Sequence, residues 1–126
     1  MGEAGRHRRL ELSRGDIVVC AAPGDFGKPR PALVVQSDLF NPTHVSFVIC
    51  PITSHLVDAP LFRLTLRPSV ENGLKMESQV IVDKVIALNR DRIGKRIGKV
   101  TAAELADVDR ALSMWLGISV QRWMSS

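Results

Sequence analysis

The sequence predicts a small α+β domain that is mainly β. A strongly twisted antiparallel sheet, or partly open barrel, carries one helix near the C-terminus. Three observations point there. Short runs rich in β-branched residues recur along most of the chain, separated by Gly, Pro, Asn and Asp. A Thr-x-x-Glu capping signature then opens a stretch whose apolar residues fall at helical spacing. Finally, 126 residues with 45% apolar and 24% charged content suit one core and one ordered domain.

The elements follow in order. Residues 1–13, with the basic run Arg6-His7-Arg8-Arg9, read as a flexible arm. Residues 14–120 form a single domain, and 121–126 a tail. "RGDIVVCA" opens the first strand: Gly15-Asp16 mark a turn, and Ile17, Val18 and Val19 are β-branched. "APGDFGKPRP" is a loop. "ALVVQS" is apolar on both faces and therefore a central strand. "DLFNPTH", broken by Pro42, is a connection, and "VSFVICPITS" is a third strand ended by Pro51. "LFRLTLR" alternates, with Phe62, Leu64 and Leu66 on one face and Arg63, Thr65 and Arg67 on the other. "PSVENGLKME" is a loop and "SQVIVDKVIAL" one further strand. "NRDRIGKRIGKV" is a turn and a short strand ending near Val100. Thr101 and Glu104 form the capping box, and Leu105, Val108, Leu112, Trp115 and Leu116 give one apolar helix face, with Trp115 in the core. Gly117 stops the helix. The sum is five or six strands and one helix.

Several function classes are excluded at this level. No apolar run approaches the roughly 18 residues of a membrane span, and no secretory leader pattern is present, so a cytoplasmic protein is expected. Cys20 and Cys50 each end an apolar run and read as buried thiols in a reducing compartment. The two cysteines and three histidines (His7, His44, His55) lack metal-ligand spacing, so neither metal nor cofactor is expected. No Ser/His/Asp order and no phosphate-cradling glycine loop appears. A net charge of +4 and a pI near 9.6 suit an anionic partner such as nucleic acid.

Polar residues at strand ends remain: Arg30, Thr53, Ser54, Asp83 and Lys84. Each has a plain alternative: a surface cation, a strand-ending turn, a partner for a nearby arginine. For Arg30 the case for function is geometric. Pro29 and Pro31 restrict the backbone on either side of it. A guanidinium so held presents a fixed fork of donors suited to phosphate. With six aromatics and no tyrosine, base stacking is limited to residues such as Phe26 and Phe40.

"RGDIVVC", "KPRPALVVQSD", "PITS", "SQVIVDKV" and the late "ALSMWLG" together resemble, in order and spacing, the MazF/PemK toxins of bacterial toxin–antitoxin systems. The resemblance runs from about Arg14 to Ile118. It implies the CcdB/PemK-like fold, an SH3-like partly open barrel, and a homodimer. It implies a metal-independent, sequence-specific endoribonuclease that cuts single-stranded RNA and is blocked by a cognate antitoxin. The family's scissile-phosphate arginine and threonine fall on Arg30 and Thr53, and an acidic residue used in one branch falls on Asp83. That branch has an arginine where this chain has Ile81, which moves weight onto Arg30 and Thr53. Phe26 and Lys28 in the loop before Arg30, with Ser54, His55 and Lys84, are the candidate RNA contacts.

The implied reaction is in-line attack by the ribose 2′-hydroxyl on its own 3′-phosphate, leaving a 2′,3′-cyclic phosphate and a 5′-hydroxyl. A-form helix forbids that alignment, so single-stranded RNA is the substrate. Arg30 stabilises charge on the phosphate rather than moving protons, because a guanidinium keeps its proton. Thr53 donates one hydrogen bond. Asp83 orients Arg30 or accepts the 2′-hydroxyl proton; acceptance would need a pKa above the usual carboxylate value. Two alternatives stay open: a gyrase-poison-like module of the same fold acting by protein contact, and a weakly catalytic toxin that only binds RNA or antitoxin.

Overall fold

The computed structural model describes residues 11–21 and 28–118. Among the described residues there are seven strands and one α-helix: β1 (Asp16–Cys20), β2 (Arg30–Val34), β3 (Ser46–Thr53), β4 (Arg63–Leu66), β5 (Ser78–Ile81), β6 (Ile86–Asn89), β7 (Ile93–Lys99) and α1 (Ala102–Leu116). The sheet runs in the order β4-β5-β3-β2-β1-β7, with β6 also paired to β3, and every pairing is antiparallel. The mainly-β sheet with a C-terminal helix agrees with the sequence; the strand count exceeds the five or six expected. The expected arm lies mostly outside the described residues, but Leu12 near its end is buried.

Alternation in β1, β2 and β3 feeds two cores, one on each face of the sheet. Ile17, Leu33, Cys50, Ile52, Val80 and Val82 pack with Val108, Ala111 and Leu112 of α1. Val18, Ala32, Val34, Phe47 and Ile49 point the other way, toward Leu88 of β6 and Ile93 of β7. Cys50 belongs to the first core and Cys20 to the second, and neither is in a disulfide.

"RGD" at residues 14–16 turns out to be a structural device. Arg14 donates from Nε to the Val35 carbonyl at 2.9 Å and forks both terminal nitrogens onto the Asp109 carboxylate of α1. Gly15 sits at φ +98°, a left-handed conformation that favours glycine, with Leu105 of α1 3.3 Å from where a Cβ would lie. Asp16 is buried, accepts from the Ser13 N–H at 2.8 Å and pairs with Arg96 of β7 at 3.0 Å. The chain is thereby pinned to α1 and β7 as it enters β1.

Three expectations need correction. First, β3 does not end at Pro51 but runs on to Thr53. The Val35 N–H bonds the Val48 carbonyl on the β2 side, so alternate residues Cys50 and Ile52 turn their polar backbone that way too. Pro51 faces the opposite edge, in the gap between the β6 pairing at Ser46–Ile49 and the β5 pairing at Ile52–Thr53. Its missing N–H falls where no ladder bond is required. Second, the run "SQVIVDKVIAL" is not one strand. A 3-10 turn over Val82–Lys84 divides it. Extending the β5 register would set Ile86 against Ser46; it sits against Ile49, so the turn absorbs three residues. Third, Trp115 is not core. The buried residues of α1 are Val108, Ala111 and Leu112, while Trp115 is 46% exposed and lies edge-on against Phe62, with ring centroids 5.2 Å apart. Gly117 (φ +73°) stops the helix two residues later.

The capping box is formed as expected: Thr101 Oγ1 accepts from the Glu104 N–H at 3.0 Å, and Glu104 Oε1 accepts from the Thr101 N–H at 2.8 Å.

Candidate active site

Arg30 is the first residue of β2 rather than part of the loop before it, and its side chain is exposed. Pro31 occupies the next position, at the strand start where a missing N–H is tolerated. The register that pairs Ala32 with Pro51, continued by two residues, sets Arg30 across from Thr53, the last residue of β3. Both side chains then share the face that carries Ala32 and the second core. The site is therefore the place where that face runs out of apolar residues and becomes polar.

Thr53 is half-buried and its hydroxyl is already oriented. Thr53 Oγ1 accepts from the His55 N–H at 3.0 Å, in a tight turn off the strand end. The oxygen being used as an acceptor, the hydroxyl hydrogen is left to donate outward. Ser54 and His55 are exposed on this turn.

The polar face continues sideways. Gln79 of β5 pairs with Thr53, and Thr65 of β4 pairs with Gln79. Gln79 is 7% exposed and uses its whole amide. Its Oε1 accepts from the Val57 N–H at 3.0 Å and its Nε2 donates to the Val57 carbonyl at 3.0 Å. The segment after Thr53 is thus clasped at both backbone groups of Val57. Neither Gln79 nor Arg63 stood out in the sequence. The available signal was a lone amide in the apolar run "SQVIV", which a buried strand tolerates only with partners.

Asp83 and Lys84 lie elsewhere, on the 3-10 turn between β5 and β6. Asp83 is half-buried and Lys84 exposed. Among the described residues Asp83 has no hydrogen bond and no ion pair, so it is not joined to Arg30 or Thr53. Lys28 is exposed two residues before Arg30. Phe26 lies outside the described residues. Among the described residues no three His, Cys, Asp or Glu side chains converge on one point, and no helix is long and apolar enough to cross a membrane.

The Cys50 thiol is unavailable for chemistry. Burial pushes it up to about 12 from an ordinary 9.0, against a smaller opposing pull from the Arg14 charge. At neutral pH it is protonated and inert.

Residues 13–116 match the family model described as PemK-like, MazF-like toxin of type II toxin–antitoxin system. A probable endoribonuclease MazF of Mycolicibacterium smegmatis is 38% identical over 109 residues, spanning 86% of this chain and 99% of that protein. Among solved structures, a MazE–MazF crystal structure from Deinococcus radiodurans superposes with a TM-score of 0.73 at 28% identity, covering 87% of this chain and 99% of that one. An endoribonuclease in complex with its cognate antitoxin, from a mycobacterial species, gives a TM-score of 0.70 at 25% identity, covering 86% and 96%. With the family model spanning most of the chain and the Mycolicibacterium smegmatis relative matched along nearly its whole length, the chain belongs to the PemK-like, MazF-like toxins of type II toxin–antitoxin systems.

Proposed function

We propose that this toxin is a cytoplasmic endoribonuclease that acts as a homodimer, cuts single-stranded RNA at a short recurring motif, and is restrained by a cognate antitoxin. Relatives named as endoribonucleases and a neighbour solved with its antitoxin support the activity and the partner. The reading is carried by the β2–β3 register, which, continued two residues past the Ala32–Pro51 pair, sets the exposed Arg30 across from Thr53, whose hydroxyl oxygen is occupied and whose hydrogen is free to donate.

The nucleophile comes from the substrate, so the chemistry asks the protein for alignment and charge. RNA lies across the ends of β2 and β3 with the scissile phosphate between Arg30 and Thr53. Arg30 meets the negative charge that builds on the non-bridging oxygens, and Thr53 donates one hydrogen bond to the same phosphate. Asp83, on the 3-10 turn after β5 and not bonded to Arg30, would act only if the RNA brings its 2′-hydroxyl to that turn, so the reading rests on Arg30 and Thr53. Lys28 adds positive potential beside Arg30, Lys84 would meet only RNA that extends to the turn after β5, and Phe26, Ser54 and His55 meet bases or sugars next to the cut. An acidic antitoxin segment laid over the same cations would block RNA by direct competition.

Purified protein, with EDTA present, is incubated with a long single-stranded RNA beside an Arg30→Ala variant, and the new 5′ ends are mapped. Cuts at a recurring motif with 5′-hydroxyl ends are expected, slowed about a hundred- to thousandfold by loss of the arginine. Folded wild-type protein that leaves the RNA intact at every concentration overturns the reading.

A further inference from the structure

The polar face holding Thr53 extends to a second guanidinium. Two register steps beyond the Thr65–Gln79 pair, Arg63 of β4 sits across from Ile81 of β5. By alternation Arg63, Thr65, Gln79 and Thr53 share a face, while Leu64, Leu66, Val80 and Ile52 line the helix-side core. Strand spacing and rise place the Arg63 and Thr53 backbones ~12 Å apart, and the side chain is drawn back toward Thr53. Arg63 Nη1 donates to the His55 carbonyl at 3.2 Å and to Gln79 Oε1 at 3.0 Å.

Two features of this arginine call for an anion. Both acceptors on Nη1 are neutral, and among the described residues no carboxylate pairs with Arg63. Its Nε and Nη2 have no partner among the described residues either. A half-buried guanidinium is thus immobilised through one nitrogen, with an edge of donors unused and its charge uncompensated. Gln79 does the immobilising, and the same amide clasps Val57, so the cation and the turn beyond Thr53 move as one piece.

We infer that Arg63 binds an RNA phosphate adjacent to the scissile one, with Gln79 as the residue that positions both Arg63 and the 54–57 turn. The inference rests on the nuclease reading above and adds a second anchoring point to it. Arg30 and Arg63, on either side of Thr53 along one face, would hold the bound strand across it at two points.

The test uses the RNA motif mapped in the cleavage experiment. A labelled oligonucleotide carrying that motif, with a 2′-deoxy sugar at the cut position, is titrated by fluorescence anisotropy over a range of salt. Arg63→Gln, which keeps a donor for the His55 carbonyl but removes the charge, is compared with Arg63→Lys, which keeps the charge. Arg63→Gln is expected to weaken binding roughly tenfold or more and to lower the slope of log K against log salt by about 0.7. Arg63→Lys should retain the wild-type slope. On cleavable RNA the loss should fall on KM, with kcat within about twofold of wild type. An unchanged salt slope in Arg63→Gln, or a loss confined to kcat, overturns the assignment while leaving the nuclease reading intact. Wild-type protein that neither binds nor cuts overturns both.

Discussion

Cys50 gives the fold a pH dependence whose size follows from its burial. The thiol is fully buried on the helix side of β3, and its pKa is raised to about 12 from an ordinary 9.0. Below about pH 9 the thiol is protonated in both the folded and unfolded chains and contributes no slope. Above that, the unfolded chain gives up its proton while the folded chain holds it. Folding then means retaking a proton, and stability falls by about 1.4 kcal/mol per pH unit until the folded thiol itself titrates. Over the three units between 9.0 and 12 the loss sums to about 4 kcal/mol, a large share of the roughly 5–15 kcal/mol that holds a domain together. The chain has no tyrosine to confuse this range, and lysines and Cys20 are shared by a Cys50→Ala variant, so they cancel in the difference. Urea unfolding under reducing conditions, repeated at half-unit steps from neutral to about pH 11, gives the two curves. They should run parallel up to about pH 9 and converge above it, with wild type losing its advantage. Curves that stay parallel to about pH 11 would refute the reasoning. They would mean that the interior around Cys50 opens to water or that Arg14 offsets most of the burial.

Three further outcomes are expected. Thr53→Val keeps the shape and β-branching but removes the hydroxyl; kcat should fall about ten- to a hundredfold in single-turnover cleavage, with melting temperature changed by only a few degrees. A full-rate Thr53→Val enzyme would remove Thr53 from the phosphate. Asp109→Ala strips Arg14 of its bidentate partner and should cost about 1 kcal/mol in urea unfolding, whereas Asp107→Ala, which removes only the exposed pair with Arg110, should cost a few tenths. Gly98→Ala should cost about 3 kcal/mol or more, because the new Cβ would lie 2.3 Å from the Asn72 carbonyl carbon and 2.4 Å from the Glu71 oxygen, both backbone. It would also push on the bond from the Lys99 N–H to the Glu71 carbonyl. A loss below about 1 kcal/mol would show that the 69–74 loop yields easily.

The parts of the fold legible in the sequence are those decided within a few residues. Thr101 and Glu104 announce the start of α1 because capping is a contact between neighbours in the chain. Leu64 and Leu66 reveal the inner face of β4 because alternation is a local period. What stayed hidden depends on which strands meet. Pro51 reads as a stop until β3 is seen to change partners beside it. "SQVIVDKVIAL" reads as continuous because the three-residue slip at Val82–Lys84 is set by β3, not by its own composition. Trp115 keeps helical spacing, yet it meets Phe62 edge-on at the rim of the core and stays half exposed. Within the site, Arg30 and Thr53 were visible as strand-end residues, and the register that sets them side by side was not. Gln79 and Arg63 acquire meaning only through bonds spanning 16 to 22 residues of chain.

The switch of partners along β3 also separates two evolutionary freedoms. Phe47 and Ile49 at one end of the strand are locked into a core, and Thr53 at the other end inherits that rigidity. Arg30 is fixed likewise by β2, which lies between β1 and β3. Among the described residues, those just before Arg30 and just after Thr53 belong to no strand. If RNA lies as proposed, insertions and substitutions there would redraw which bases are accepted without displacing the phosphate between the anchors. On the proposed reading, a lineage of such toxins could diversify its vocabulary of cut sites while the cutting chemistry stays fixed, and each new vocabulary would leave the antitoxin's cationic target in place.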